Sequence, residues 1–474
     1  HRALRSSPTR RSSNLLIALT VSSRLFMEQL DGTILSTALP AIAQSLHVDT
    51  VSTSVALTSY IVGLAIFIPA SGALADRIGS RTVLLVAISI FVLCSLLCAG
   101  AHSLPFLAAM RALQGVGGAL MVPVGRLVVI RGTPRDQLVR IMTWMTLPAT
   151  LGPLLGPVVG GFVTTWLSWR WNFYINIPVG LLGLALTWRY IPQVHEPSPS
   201  PFDWHGLCLS GGGLAVLSVF AELFSHGAGN WAVLATLLGA GLMLMVLYMR
   251  HAAHLAAPLL DFRLMHFATF RASLLAGAAS RIAVGSMPFL LPAYLQLGSG
   301  LSAAQSGLVT FIAPVGAILT RPYVPALLKH WGFRRVLMVN GVSAAIVFGL
   351  IALYRPSHPL WTLSLVLIVA GATQSIQFSA YNTVAYADIP PGRMSAATSL
   401  YATMQQIMLS AGICVAAAVL TLLGDVRGHA QPTSGDFSVA FAVTGLISLL
   451  ASPLCAIMPV NAGAQMSGNL KKPS

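Results

Sequence analysis

Charge is what this chain has least of. Only 8% of its residues are Asp, Glu, Lys or Arg, against about 25% in soluble proteins. A water-soluble enzyme cannot be built on that ratio, and no stretch of soluble-domain composition interrupts the sequence. A Walker-type phosphate loop is also missing, which excludes ATP as a direct energy source. No His-rich, Ser-based or metal-ligand constellation stands out, so neither catalysis nor a metal is expected. The five cysteines (Cys94, Cys98, Cys208, Cys414 and Cys455) all fall in apolar runs without ligand spacing, so disulfides are not implied.

What is present is apolar length. Hydrophobic residues make up 55% of the 474, and mean hydropathy is +0.78. Runs of near twenty such residues give fourteen expected helices, from 15–40 to 437–459, each long enough to cross a bilayer. The expectation is an all-α polytopic membrane protein. The net charge of +15 does not point to nucleic acid. Most of the 27 Lys and Arg fall in segments on one side, among them Arg77, Arg81, Arg131, Arg135, Arg140, Arg334 and Arg335. Only Arg170, Arg355 and Arg427 fall in opposite loops, so the positive-inside rule puts both termini in the cytoplasm. The basic start, the apolar run and Ala41-Ile42-Ala43 imitate a signal peptide. Glu28 and Asp31 would spoil its apolar region, so the run is read as the first span.

That first span, Leu15 to Pro40, carries Arg24, Glu28 and Asp31 at i, i+4 and i+7, all on one helix face. A charge at bilayer depth costs roughly 2.5–3.5 kcal/mol on insertion scales, so this stripe must face protein, water or its own members. Arg111 lies within a later apolar run, always charged, and needs an acidic or carbonyl partner, which Asp31 or Glu28 can supply. A proton arriving on the acid would break such a pair; a static pair fixing helix register is the plainer reading. Glu28 is either a second proton site or the partner of Arg24. Arg126, Arg281, Arg321 and Glu222 complete the set of charges in apolar runs, with Arg126 and Arg321 expected to snorkel to the cytoplasmic face. The surplus of cations suits an anionic substrate. Gln114, Phe289, Tyr294, Gln377 and Tyr381 are expected along a substrate path with Arg24 and Arg281, and Met394 to Gln406 as core.

The chain also repeats itself. Residues 73–84, ALADRIGSRTVL, match residues 326–337, ALLKHWGFRRVL, with Ala73, Leu74, Gly79, Arg81, Val83 and Leu84 identical 253 positions later. Glu28 and Arg281 stand at the same offset. Two related halves follow: residues 1–192 as one six-helix bundle, 269–474 as a second with a cytoplasmic tail, and 193–268 as a linker with two extra spans. Such repeats place a substrate path between halves near the midplane. Gly152, Gly156 and Gly160 recur every fourth residue, giving one helix face without side chains for close packing, beside Pro153, Pro157 and Gly161.

Several of these stretches resemble motifs of the major facilitator superfamily. Gly72-Ala-Leu-Ala-Asp76-Arg77-Ile-Gly79-Ser-Arg81 resembles the loop after its second helix, and Arg111-Ala-Leu-Gln-Gly115-Val-Gly-Gly its fourth-helix motif. Leu151-Gly152-Pro153-Leu-Leu-Gly156-Pro157-Val-Val-Gly160-Gly161 resembles its fifth-helix antiporter motif. Leu30-Asp31-Gly-Thr-Ile-Leu-Ser-Thr-Ala-Leu39-Pro40 and Trp169-Arg-Trp-Asn-Phe-Tyr-Ile-Asn176-Ile-Pro178-Val-Gly180 are similar to its fourteen-helix drug:proton antiporter branch. The resemblance implies the major facilitator fold, with gating by Gly72, Asp76, Arg77, Gly79 and Arg81 and proton coupling through Asp31, Glu28 and Arg111. Glu28 departs from the motif, where an amide or apolar residue is usual, and Lys329 replaces Asp76 in the second copy.

The function expected is a monomeric, proton-coupled, multidrug-type efflux antiporter working by alternating access in a bacterial inner membrane. It would use the proton gradient in place of a cofactor, with a small-molecule substrate and the lipid bilayer as its only partners. Export of an organic anion or metal–organic-acid chelate is the second reading; a non-transporting membrane sensor is the third.

Overall fold

A computed structural model describes residues 8–132, 135–191, 193, 202–227, 230–255, 258–390, 393–428, 431–459 and 462–463, with the backbone alone for 8–19, 21, 122, 126–127, 129–132, 135–150 and 395. Arg2, Arg5, Lys471, Lys472 and the side chains of Arg126, Arg131, Arg135, Arg140 and Met145 therefore lie outside the described residues.

A bilayer offers no hydrogen bonds to the backbone, so apolar runs close their own bonds as helices. The first part comprises α1 (Pro8–Ile34), α2 (Leu39–Leu46), α3 (Val55–Ile78), α4 (Ser80–Ala99), α5 (Leu104–Gly132), α6 (Arg135–Trp166), α7 (Trp171–Tyr174) and α8 (Asn176–Tyr190). Two peripheral helices follow, α9 (Trp204–Ser225) and α10 (Trp231–Ala253). The remainder is α11 (Ala268–Ala293), α12 (Ala303–Thr310), α13 (Ile312–Thr320), α14 (Val324–Leu353), α15 (Leu360–Val384), α16 (Met394–Arg427), α17 (Ser434–Leu449) and α18 (Ala451–Ala456). Among the described residues, ten helical stretches are long and apolar enough to cross a membrane. Starts are fixed by polar caps. Asp203 accepts from Gly206 N at 2.7 Å, Asn230 accepts from Val233 N at 3.0 Å, and Ser302 with Gln305 closes a capping box.

One boundary differs from the sequence reading. The first span bends after Ile34 into a 3₁₀ turn, Leu35–Thr37, and Pro40 opens α2 instead of ending the span. The runs expected as 303–327 and 335–354 appear as α12 and α13 followed by α14, and the backbone leaves the helix at Gly332 (φ 72°, ψ 162°), between the two expected spans. Gly79, 253 positions earlier, separates α3 from α4 with nearly the same backbone (φ 91°, ψ 143°). A residue with a Cβ pays to hold such a φ, so both copies of the repeat keep glycine at the break.

Helix α1 packs against α5, α6 and α8, and α3 against α4 and α5. Helix α11 packs against α16 and α17, and α14 against α15 and α17. Helices α9 and α10 lie against each other on the outside, with α9 also touching α3 and α16. Trp231, Leu242 and Met243 of α10 are exposed, as befits a face toward lipid.

Candidate functional site

The fourth-helix motif builds the site by letting helices come close. A Cβ on Gly115 would run into the Tyr60 carbonyl of α3, and one on Gly117 would press on Ala87 and Phe91 of α4. That packing puts α5 within reach of both neighbours. Arg111, one turn before Gly115, is wholly buried and donates from Nη1 to Asp31 Oδ2 at 2.5 Å. Its Nε donates to the Ala56 carbonyl at 3.0 Å, and its guanidinium lies 4.3 Å over the Tyr60 ring. The other carboxylate oxygen, Asp31 Oδ1, accepts from Asn176 Nδ2 at 2.6 Å and Gln114 Nε2 at 3.0 Å. Both amides also donate to Ser95 Oγ, at 3.3 and 2.8 Å, and Gln114 Oε1 accepts from Arg111 at 2.7 Å. Side chains of α5 and α8 thus hold the α1 carboxylate, with α3 and α4 bonded to those side chains in turn, the arrangement a buried anion requires.

Glu28 sits one turn from Asp31 but does another thing. It lines a cavity of about 1650 Å³, together with Tyr60, Gly118 and one edge of Arg111, whereas Asp31 lies behind that wall. The far wall comes from α11, α15 and α16: Met287, Gln374, Gln377, Phe378, Gln405 and Gln406. Asp76, Arg263, Arg321 and Arg393 line the same cavity at one end. At the other end α6 meets α12. Gly161 lies against Ala303, Gly307 against Pro157, and Ala304 N donates to Thr165 Oγ1 at 3.0 Å. Gln296 Nε2 adds a bond to the Thr37 carbonyl at 2.9 Å.

The glycine face of α6 is packed along its length. Gly152 lies on Gln29 and Leu30, Gly156 on Thr33, and Gly160 on Ile34 and Thr37, all in or just after α1. Pro153 and Pro157 line the cavity beside this seam. The Gly72–Arg81 loop is braced from the end of α8. Arg81 Nε donates to the Ile191 carbonyl at 2.7 Å, and Gln193 Nε2 to Ile78 O at 3.0 Å and Thr82 Oγ1 at 2.9 Å. Gly72 and Asp76 line the cavity, while Arg77 and Gly79 do not.

Several expected positions need correction. Gln114 does not line the path; its amide is spent on Asp31 and Ser95. Phe289 is buried in apolar core, Tyr294 donates to the Tyr354 carbonyl at 3.0 Å, and Tyr381 lies 3.2 Å from Cys455 Sγ, all behind the wall. Of the five, only Gln377 lines the cavity. Arg24 forms no ion pair with Glu28: its three guanidinium nitrogens are buried without a hydrogen-bond partner among the described residues, against α8 at Gly183. Arg281 also stands behind the wall, donating to Tyr401 Oη at 2.6 Å. The Met394–Gln406 stretch is cavity wall as well as core, through Met394, Thr398, Ser399, Ala402, Gln405 and Gln406. Arg321 is exposed at the cavity's end, as a snorkelling side chain would be. Sequence reasoning misses Asn176 and Ser95 as site residues. Asn176 falls inside a family-like motif, but Ser95 carries no sequence signal.

The sequence pattern described as Major Facilitator Superfamily matches residues 23–413. Relatives bearing the multidrug-resistance designation MdtD are 37% identical in Pectobacterium carotovorum (91% of this chain, 93% of theirs) and 37% identical in Escherichia coli (91% and 92%). One from Cronobacter sakazakii is 36% identical, covering 92% of each chain. Among solved structures, a POT family transporter in complex with 5-aminolevulinic acid superimposes with a TM-score of 0.71 at 14% identity, over 95% of this chain and 96% of that one. The nucleoside transporter NupG gives 0.64 at 16% identity, over 93% and 98%.

Proposed function

The chain belongs to the Major Facilitator Superfamily, a family of multi-pass membrane transporters, and from that premise we propose that it exports small molecules in exchange for incoming protons. The observation that carries this reading is the Asp31–Arg111 pair, fully buried, of which Arg111 belongs to the cavity wall and Asp31 lies behind it.

With Asp31 charged, three donors hold its carboxylate, and α1 is tied to α5 and α8. A proton on Asp31 cancels its charge, and Arg111 then keeps the Ala56 carbonyl, Gln114 and the Tyr60 and Phe173 rings, none of them an anion. A buried guanidinium stripped of its counter-charge is costly, so protonation favours a state in which Arg111 finds another partner. The α1–α6 glycine seam holds the first bundle together as a unit, and the close backbone contacts of Gly161 with Ala303 and of Gly307 with Pro157 are where the two bundles meet and part. The bundles in this reading are residues 1–192 and 269–474, six spans each, with two extra spans in 193–268 and both termini in the cytoplasm of a bacterium's inner membrane. The cavity's charged end, with Asp76 and Arg81 of the loop beside it, is then the cytoplasmic mouth, and the α6–α12 contact is the outer seal. The protein acts as a monomer and needs no cofactor beyond the proton gradient. The wall of amides, aromatics and Met287, with the carboxylates of Glu28, Asp76 and Asp261, suits amphipathic cations of varied shape, in keeping with the relatives' multidrug name.

The test uses proteoliposomes loaded with ethidium. An imposed pH gradient drives ethidium movement by the wild type, and Asp31→Asn abolishes it while leaving passive leak unchanged. Equal rates for both proteins would refute the coupling.

A second reading, export of an organic anion, is favoured by Arg281, whose Nε is buried without a hydrogen-bond partner among the described residues. It predicts that Arg281→Ala loses transport of carboxylate substrates and spares ethidium.

A further inference from the structure

Helix α9 belongs to neither copy of the repeat, yet it carries a carboxylate into the groove between α3 and α16. Glu222 lies one turn from the end of α9, its side chain 18% exposed. Among the described residues no Lys or Arg pairs with it. Its Oε2 accepts from Thr58 Oγ1 of α3 at 3.0 Å and lies 3.9 Å from Cys414 Sγ of α16. Its Oε1 is buried without a hydrogen-bond partner among the described residues, 3.4 Å from His226 Nδ1. This is the opposite of Asp31, whose two oxygens face a guanidinium and two amides. The donors on Oε2 are neutral, and Oε1, facing only the His226 ring, has room to carry a hydrogen.

His226 is equally adaptable. Its Nδ1 is 2.8 Å from the Glu222 carbonyl and its Nε2 is 3.1 Å from the Val51 carbonyl, both acceptors only, so an imidazolium satisfies both. Each nitrogen also has a serine hydroxyl in reach, Ser225 at 3.2 Å and Ser54 at 3.5 Å. When the ring is neutral, a serine can turn its hydrogen toward the bare nitrogen. Neither protonation state leaves an orphan, which a purely structural tie would not need. The ionisable groups around the pair are Cys414 and, level with Gly227, Asp425 of α16, and Asp49 on the segment leading into α3. On α3 the nearest, Tyr60, lies over Arg111, and α10 carries none before Tyr248.

Place matters as much as chemistry. Leu57 and Ile61, flanking Thr58, line the cavity, as do Leu409 and Ile413, the latter next to Cys414. The pair therefore sits directly behind the cavity wall, at the start of α3 and so at the opposite end from the Gly72–Arg81 loop.

We propose that Glu222 and His226 form a second proton-binding site, lodged between α3 and α16 on a helix outside the repeat, and distinct from Asp31–Arg111. Water on the outer side delivers the proton, and it comes to rest on Glu222 Oε1, beside the His226 ring. The proposal takes its meaning from the transporter reading, but proton binding is measured here without transport.

The test is pH-difference infrared spectroscopy of the full-length protein in lipid. Wild type shows a protonated-carboxyl C=O band that is lost in Glu222→Gln, retained in Asp31→Asn, and moved in frequency in Glu222→Asp. The Cys414 S–H stretch, identified by its loss in Cys414→Ser, shifts over the same pH range in otherwise unaltered protein, so the result does not depend on the Glu222 variants folding. A carboxyl band unchanged in Glu222→Gln, or a Cys414 stretch indifferent to pH, overturns the proposal. In proteoliposomes Glu222→Gln slows pH-driven ethidium efflux several-fold yet still releases protons when ethidium binds. Absence of proton-driven efflux in wild type would refute the transporter reading and leave the infrared result standing.

Discussion

Asp31 and Arg111 meet at 2.5 Å with no exposed side-chain surface on either, and each is anchored by a different set of helices. Asp31 rides on α1 and Arg111 on α5, while the amides that complete the carboxylate's shell come from α5 and α8. Removing one charge and keeping the other should cost about 3–5 kcal/mol, since the survivor is left buried and uncompensated. Asp31→Asn and Arg111→Gln are therefore each expected to lower thermal stability in detergent, and the double substitution to recover much of the loss. Recovery of stability without recovery of efflux separates the pair's structural part from its coupling part. Additive losses in the double variant would show that the two charges do not act as a pair.

The amide shell gives a graded version of the same test. Asn176→Ala takes one donor from Asp31 Oδ1 and leaves Gln114 in place. Hydrogen bonds to charged groups are worth about 1.5–3 kcal/mol, so a smaller loss of stability than in Asp31→Asn is expected, with efflux weakened but not abolished. Differential scanning fluorimetry beside ethidium efflux reads both. An Asn176→Ala protein indistinguishable from wild type would remove α8 from the site.

The glycine seam makes a prediction about rescue. At Gly156 an added Cβ meets the Thr33 hydroxyl, a side chain; at Gly160 it meets the Ile34 carbonyl, which is backbone. Overpacking typically costs about 1–3 kcal/mol. Both alanine variants should lose stability and transport, but Thr33→Ala should restore part of the Gly156→Ala loss and none of the Gly160→Ala loss. Rescue of both, or of neither, would mean the α1–α6 contact is not the tight crossing described.

The paired breaks at Gly79 and Gly332 allow a comparison across the repeat. Both hold a positive φ with an extended ψ, and a residue with a Cβ pays roughly 1–3 kcal/mol there. Gly79→Ala also crowds the Gln193 side chain, a brace that belongs to the first copy of the repeat. Melting temperatures should fall in both variants, and Gln193→Ala should relieve only the first.

Much of this was legible in the sequence because a bilayer simplifies the problem. Apolar length sets the helices, and charges too costly to expose mark the first span and Arg111 as special. The identical residues at 73–84 and 326–337 foretold the matched backbone breaks. What the sequence did not disclose is which side of a helix faces which neighbour. Arg24 and Glu28, one turn apart, were natural partners on spacing, yet one turns to α8 and the other to the cavity. Phe289, Tyr294 and Tyr381 were as plausible on the path as Gln377, and packing alone separated them. Ser95 was invisible because a serine in an apolar helix has many uses. Its role appears only when two amides from other helices converge on it.

Proton release on ligand binding tests the central claim most directly. Purified protein in weakly buffered detergent solution is mixed with ethidium while a pH indicator is followed. Wild type should release protons as the dye binds, and Asp31→Asn should bind the dye with release reduced to background. Undiminished release from Asp31→Asn would contradict the account, because the acid that Arg111 holds would then not be the group that exchanges.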